Sequence, residues 1–156
     1  MTIRVLFVCL GNICRSPLAE AAFRAEAERA GLDAEADSAG TGDWHRGQPP
    51  DRRAIAAARR NGVDISDLRA RQVTPGDFDR FDQIVALDEE NLADLKRLRP
   101  EGARAKLSLL LDHAPGREGQ AVADPYHGGG SHFDITWRDV TEGARGLARK
   151  LKEHAQ

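Results

Sequence analysis

Residues 3–18 read Ile3-Arg4-Val5-Leu6-Phe7-Val8-Cys9-Leu10-Gly11-Asn12-Ile13-Cys14-Arg15-Ser16-Pro17-Leu18, and the fold is decided here. Ile3 to Val8 is a short apolar run rich in β-branched residues and broken only by Arg4. That pattern suits a strand buried on both faces. Ser16-Pro17 opens a helix, since a proline in the first turn gives up an N–H that has no intrahelical partner. Leu18, Ala21, Ala22 and Ala25 continue an apolar stripe that Gly31 stops. A buried strand, a turn and a helix in this order begin a βαβ unit.

The rest of the chain repeats the alternation. Asp33 to Ser38, closed by Ala39-Gly40, is a weaker strand candidate. Gly42 to Pro50 is a loop, and Asp51 to Arg60 a helix ended by Asn61-Gly62. Asp82 to Leu87 predicts a third strand, Asp88 to Arg97 a helix, and Ala105 to Leu111 a fourth strand. Asp112 to Gly130 is a long loop rich in Gly, Pro and His. From about Phe133 to Glu153, Trp137, Val140, Ala144, Leu147 and Leu151 recur at helical spacing. The expected fold is α/β: a four-stranded parallel sheet with helices on both faces, in three layers. In such sheets ligands bind at the carboxyl ends of the strands. The loop after the first strand is therefore the place to look for chemistry.

Composition narrows the class. The chain has 156 residues, 23 basic and 25 acidic, for a formal net charge of -2. That length suits one domain, taken as residues 1–156. Two cysteines are too few for a disulfide-built scaffold or a four-cysteine zinc site. No apolar run approaches the ~20 residues of a membrane helix, and Met1 to Phe7 does not read as a signal peptide. Mixed charge gives no reason to expect nucleic-acid or anionic-membrane binding. A cytoplasmic protein is expected.

The loop Cys9 to Ser16 joins a strand end to a helix N-terminus. Its backbone N–H groups can curl into an anion nest, to which the helix end adds partial positive charge. Gly11 permits a positive φ and Asn12 tolerates one. Arg15 offers a planar fork of donors to two oxygens of a phosphate. Cys9 stands at the strand end beneath the nest, where these groups together favour the thiolate, the nucleophilic form. A thiolate under a phosphate-shaped cradle points to attack on phosphorus and a phosphocysteine intermediate. Cysteine and arginine six positions apart are weak evidence alone, since a free cysteine is usually just a buried one. The strand before, the helix after, and the Gly-Asn and Ser-Pro steps strengthen it.

Val5 to Glu20 resembles the signature of the low-molecular-weight protein tyrosine phosphatases. The likeness continues at Asp37-Ser38-Ala39-Gly40-Thr41, Arg69-Ala70-Arg71-Gln72, Asp88-Glu89-Glu90-Asn91-Leu92 and Asp124-Pro125-Tyr126. The resemblance implies hydrolysis of phosphotyrosine with no metal and no organic cofactor. It makes Asp124 the general acid and base beside Cys9 and Arg15, although an Asp-Pro step by itself is a common turn. It implies a phosphate-binding loop of Leu10, Gly11, Asn12, Ile13, Cys14, Arg15 and Ser16. It places Leu10, Ile13, Trp44 and Tyr126 on the substrate rim, with Asn12, Ser16 and Ser38 in a network supporting the loop. Ser16 is also an ordinary helix N-cap candidate. The implied partners are a tyrosine-phosphorylated protein or small aryl phosphate, with inorganic phosphate or vanadate as inhibitor, and a monomer or weak dimer.

Two positions depart from the family pattern. Many members carry a histidine, part of the supporting network, where this chain has Leu68; the second of two tyrosines after Asp-Pro is here His127. Cys14, five residues after Cys9, is a candidate disulfide partner that would protect an oxidised Cys9 reversibly. Three rivals remain at this point. A thioredoxin-coupled arsenate reductase needs further cysteines, and none follows Cys14. A phosphoanion-binding module needs neither Cys9 nor Asp124. A dual-specificity phosphatase places its cysteine deep in the chain behind a histidine, where this chain has Val8.

Overall fold

The computed structural model describes residues 1–155. Its strands are β1 (Ile3–Cys9), β2 (Ala34–Gly40), β3 (Gln83–Ala86) and β4 (Lys106–Leu109). Its helices are α1 (Arg15–Ala30), α2 (Arg52–Arg60), α3 (Asp77–Arg80), α4 (Glu89–Leu98) and α5 (Gly130–His154). The four strands are all parallel, as expected, and their order is β2-β1-β3-β4.

β1 lies inside the sheet, in register with β2 from Ile3–Ala34 to Cys9–Gly40 and with β3 from Val5–Gln83 to Val8–Ala86. Side chains alternate across a strand, so Val5, Phe7 and Cys9 join one core while Leu6 and Val8 join another. Both sets are buried, which explains why Val5 to Cys9 reads as a continuous apolar run. Against the first face pack α1, α2 and α5, through residues such as Phe23, Ala54, Ala58, Phe133 and Leu147. Phe7 and Phe23 meet there with ring centroids 5.5 Å apart. Against the second face pack Phe78 of α3 and Leu95 of α4. Each such large side chain is worth roughly 1.5–3 kcal/mol of burial.

Three features depart from expectation. α1 begins at Arg15, with Cys14 at the cap position and no side-chain cap, so Ser16 lies within the first turn and is not the N-cap. β4 ends at Leu109 and the chain tightens into a 3₁₀ turn over Leu110–His113. Asp112 causes the tightening, because its carboxylate accepts from the Leu109 N–H at 3.0 Å. α5 crosses that turn at backbone contact: a Cβ on Gly146 would sit 1.7 Å from the His113 carbonyl oxygen. α3 carries no periodic pattern that a four-residue helix could display. It forms because the Asp77 carboxylate accepts from the Thr74 N–H at 2.8 Å and pairs with Arg71 and Arg80.

Candidate active site

All four strands point their carboxyl ends at one edge of the sheet, and β1 delivers Cys9 there. The chain past Cys9 is held over the end of β2 by two hydrogen bonds. Thr41 N–H donates to the Cys9 carbonyl at 2.9 Å, and Gly42 N–H to Leu10 at 3.0 Å. The approach is so close that a Cβ on Gly40 would lie 2.7 Å from the Leu10 carbonyl oxygen. Glycine is required there. The loop then turns through Asn12, at φ 58°, the one non-glycine residue of positive φ among the described residues. An asparagine tolerates this region because its side chain bonds locally.

That side chain is committed on both ends. Asn12 Nδ2 donates to Ser16 Oγ at 2.8 Å and to Ser38 Oγ at 3.0 Å. Asn12 Oδ1 accepts from the Arg71 N–H at 3.0 Å. Ser16 Oγ lies 3.0 Å from Cys9 Sγ. Ser38 in turn donates to Glu20 Oε1 at 2.8 Å. Asn12, Ser16 and Ser38 thus meet as expected, and Glu20 extends the network. No local pattern marks Glu20 for this role, although it lies one turn beyond Ser16 on the same helix face. It is 1% exposed. Burial pushes its carboxyl above the usual range, against the pull of Arg24 and the Ser38 hydroxyl. Leu68 offers this network no polar group; it is half-buried against the apolar core and lines a surface pocket with Glu20.

Arg15 is 3% exposed and doubly anchored. Its Nη1 donates to Asp88 Oδ2 at 2.7 Å and to the Val122 carbonyl at 3.0 Å. Asp88 also caps α4, accepting from the Asn91 N–H at 2.7 Å. One carboxylate therefore starts a helix and orients a guanidinium. Burial alone would make Arg15 easier to deprotonate; the facing Cys9 and the Asp88 bond reverse that and hold the charge. Arg15 Nη2 lies 3.9 Å from Asp124 Oδ2. Neither anchor was anticipated. Asp88 carries the cap signal of an acid before a helix, but a backbone carbonyl such as that of Val122 leaves no trace in sequence.

These groups enclose a pocket of about 240 Å³ lined by Cys9, Leu10, Gly11, Ile13, Cys14, Arg15, Trp44, His45, Asp124, Tyr126 and His127. Every expected rim residue is present. Trp44 is 67% exposed and Tyr126 42%, while Cys9 at the other extreme is 3%. The pocket therefore grades from an exposed aromatic rim to a buried floor at Cys9 and Arg15. His45 and His127 join the rim unanticipated. The His127 ring meets Tyr126 edge-on at 5.1 Å. Cys14 is buried and shares the pocket with Cys9, and both are free thiols. Burial first, then Asp51, Cys9 and Asp124, push the Cys14 thiol far up, so it stays protonated at neutral pH.

A parallel α/β sheet that presents a cysteine within a helix-terminal anion loop, with an arginine and a carboxylate converging on it, defines a cysteine-dependent phosphohydrolase. The chain belongs to the low molecular weight phosphotyrosine protein phosphatase family, whose sequence model matches residues 4–156. It is 48% identical to the low molecular weight phosphotyrosine protein phosphatase of Schizosaccharomyces pombe, covering 96% of this chain and 97% of the relative. It is 45% identical to the low molecular weight protein-tyrosine-phosphatase of Streptomyces coelicolor, over 100% of this chain and 98% of that one. The crystal structure of a protein tyrosine phosphatase from Entamoeba histolytica superposes with a TM-score of 0.92 at 35% identity, over 99% of both chains. YfkJ from Bacillus subtilis gives 0.91 at 39%, over 100% of this chain and 98% of that one.

Proposed function

We propose that this chain, as a single domain over residues 1–156, hydrolyses phosphotyrosine in proteins and small aryl phosphates. The observation that carries the proposal is the convergence of Cys9, Arg15 and Asp124 on one pocket. Phosphate binds against the N–H groups of Leu10 to Ser16, between the helix terminus and Arg15. With Nη1 engaged by Asp88 and Val122, the Nε–Nη2 edge of Arg15 meets two phosphate oxygens. The Cys9 thiolate attacks phosphorus: the P–S bond forms as the bond to the aryl oxygen breaks, and the Asp124 carboxyl gives its proton to the departing phenolate. The Asp124 carboxylate then takes a proton from water as that oxygen attacks phosphorus. The P–S bond breaks, phosphate forms, and the Cys9 thiolate leaves accepting a hydrogen bond from Ser16.

Selectivity follows from the gradation of the pocket. Trp44 and Tyr126 offer flat faces to a phenyl ring, with Leu10 and Ile13 beside them. A shorter serine phosphate gains nothing from the aromatics. Inorganic phosphate and vanadate compete for the cradle. Cys14 traps an oxidised Cys9 as a disulfide. Cytoplasmic location and a monomeric or weakly dimeric state complete the reading, and the chemistry needs neither metal nor cofactor. With two cysteines in the chain, a relay to a third, as arsenate reduction of the thioredoxin-coupled type requires, has no sulfur to use.

The test pairs aryl phosphate hydrolysis with arsenate reduction, with Cys9→Ser as control. Wild type should turn over phosphotyrosine peptide and fail to reduce arsenate. Cys9→Ser should lose turnover while still binding vanadate or phosphate. Turnover by Cys9→Ser near the wild-type rate would remove Cys9 from the mechanism.

A further inference from the structure

Asp124 lies on an exposed segment, yet a general acid has to be held to a fraction of an ångström. Its immediate support is local. Asp124 Oδ1 accepts from the Tyr126 N–H at 3.1 Å, and Gly128 N–H closes a turn onto the Pro125 carbonyl at 2.8 Å. This small turn is fastened to the body of the protein by Arg53 of α2. Arg53 Nη1 donates to the Gly128 carbonyl at 2.7 Å. The same guanidinium lies over the Tyr126 ring at 5.7 Å and over the buried Phe133 ring at 4.6 Å, both within cation–π range. Its other edge is set by Asp51, through Nε to Oδ1 and Nη2 to Oδ2, each 3.0 Å. Asp51 is tied to the phosphate loop, since its N–H donates to the Ile13 carbonyl at 2.8 Å.

A continuous path therefore runs from Ile13 in the cradle to Asp51, Arg53, Gly128 and Tyr126, and ends at Asp124. We propose that Arg53 is a positioning residue that sets the general acid relative to the phosphate cradle. The inference rests on Asp124 being that acid. Each contact uses a different part of the guanidinium: one edge faces Asp51, one N–H faces Gly128, and the faces meet the aromatic rings. Lysine has one ammonium and no plane, so it can keep the Gly128 bond while losing the fork and the stacking. Arg53 is not among the residues that line the Cys9 pocket, so it acts only through the turn that carries Asp124.

The experiment compares kcat/KM for phosphotyrosine, whose phenolate needs a proton to leave, and for dinitrophenyl phosphate, whose phenolate does not. Wild type, Asp124→Ala, Arg53→Gln, Arg53→Lys and the Asp124→Ala/Arg53→Gln double variant are measured, with inhibition by inorganic phosphate reporting the cradle. Arg53→Gln should lose roughly 10- to 100-fold on phosphotyrosine and change little on dinitrophenyl phosphate. Arg53→Lys should fall between Arg53→Gln and wild type, and inorganic phosphate should inhibit all variants comparably. The double variant should be no slower on phosphotyrosine than Asp124→Ala alone. Equal losses of Arg53→Gln on both substrates, no loss, or additive losses in the double variant would overturn the positioning role while leaving Asp124 in place. If Asp124→Ala itself falls equally on both substrates, the acid assignment fails, and the inference fails with it.

Discussion

Ser38 donates its hydroxyl to Glu20 at 2.8 Å, and this bond completes the hydrogen-bond network behind the loop of residues 9–16. The hydroxyl hydrogen is thereby directed away from Asn12, so both Asn12 Nδ2 hydrogens find acceptors, on Ser16 and Ser38. Asn12 can then hold its positive φ. Leu68, at the position where a histidine is expected from the family resemblance, packs against the core instead. The carboxylate on α1 serves as the terminal acceptor.

Glu20→Ala leaves the Ser38 hydroxyl without that acceptor and Arg24 without its 2.8 Å partner. A buried polar group stranded in this way costs about 1–3 kcal/mol. Thermal unfolding should show the loss, and kcat/KM on an aryl phosphate should fall roughly tenfold as the loop loosens. Glu20→Gln keeps an acceptor and should retain most of both. Equal behaviour of the two variants would contradict the acceptor role.

Ser16→Ala removes the hydroxyl 3.0 Å from Cys9 Sγ. A hydrogen bond to a charged group is worth about 1.5–3 kcal/mol, so release of the thiolate should slow by about 10- to 100-fold. Phosphoenzyme should accumulate in acid-quenched turnover of Ser16→Ala more than in wild type. A rate loss without accumulation would place Ser16 in the first chemical step instead.

Cys14 remains a protonated thiol while Cys9 and two carboxylates face it. Oxidation of Cys9 to a sulfenic acid gives Cys14 a target beside it, and the disulfide formed is reducible. After mild peroxide and then dithiothreitol, wild type should recover activity and Cys14→Ser should recover less. Equal recovery would dismiss the guard role.

His113 couples stability to pH. Lys150 Nζ, which can only donate, lies 3.3 Å from His113 Nδ1, so Nδ1 accepts and Nε2–H faces Ser108 Oγ at 2.9 Å. Burial, reinforced by Lys150 and opposed by Asp112, lowers the imidazole from 6.5 to about 4. The unfolded chain therefore binds the extra proton between those values, and stability falls as pH drops through that window. The contribution is complete above pH 6.5 and should shrink by about 1–2 kcal/mol on going from pH 7 to pH 5. Chemical denaturation at the two pH values measures it. His113→Gln should flatten this part of the profile, and an unchanged slope would exclude His113 as its source.

Periodicity made the frame legible. A both-sides-buried β1, the strand–helix alternation and the long amphipathic α5 all leave apolar repeats in the sequence, because each element must bury a defined face. The composition of residues 9–16 marked an anion loop for a similar reason: a strand end, a helix start and a tolerated positive φ are local properties. Other features have no periodicity to read. Arg15 finds Asp88 at a separation of 73 residues and the Val122 carbonyl at 107. Glu20 finds Ser38 across 18 residues, and Arg53 finds Gly128 across 75. The sequence by itself determined the layers, the cradle and its thiol, since those follow from neighbouring residues. Only the tertiary structure decided which groups aim the arginine, end the hydrogen-bond network and fasten the acid's turn. The parallel sheet gathers distant loops at one edge, and a hydrogen bond between them depends on their approach in space, which no local pattern encodes.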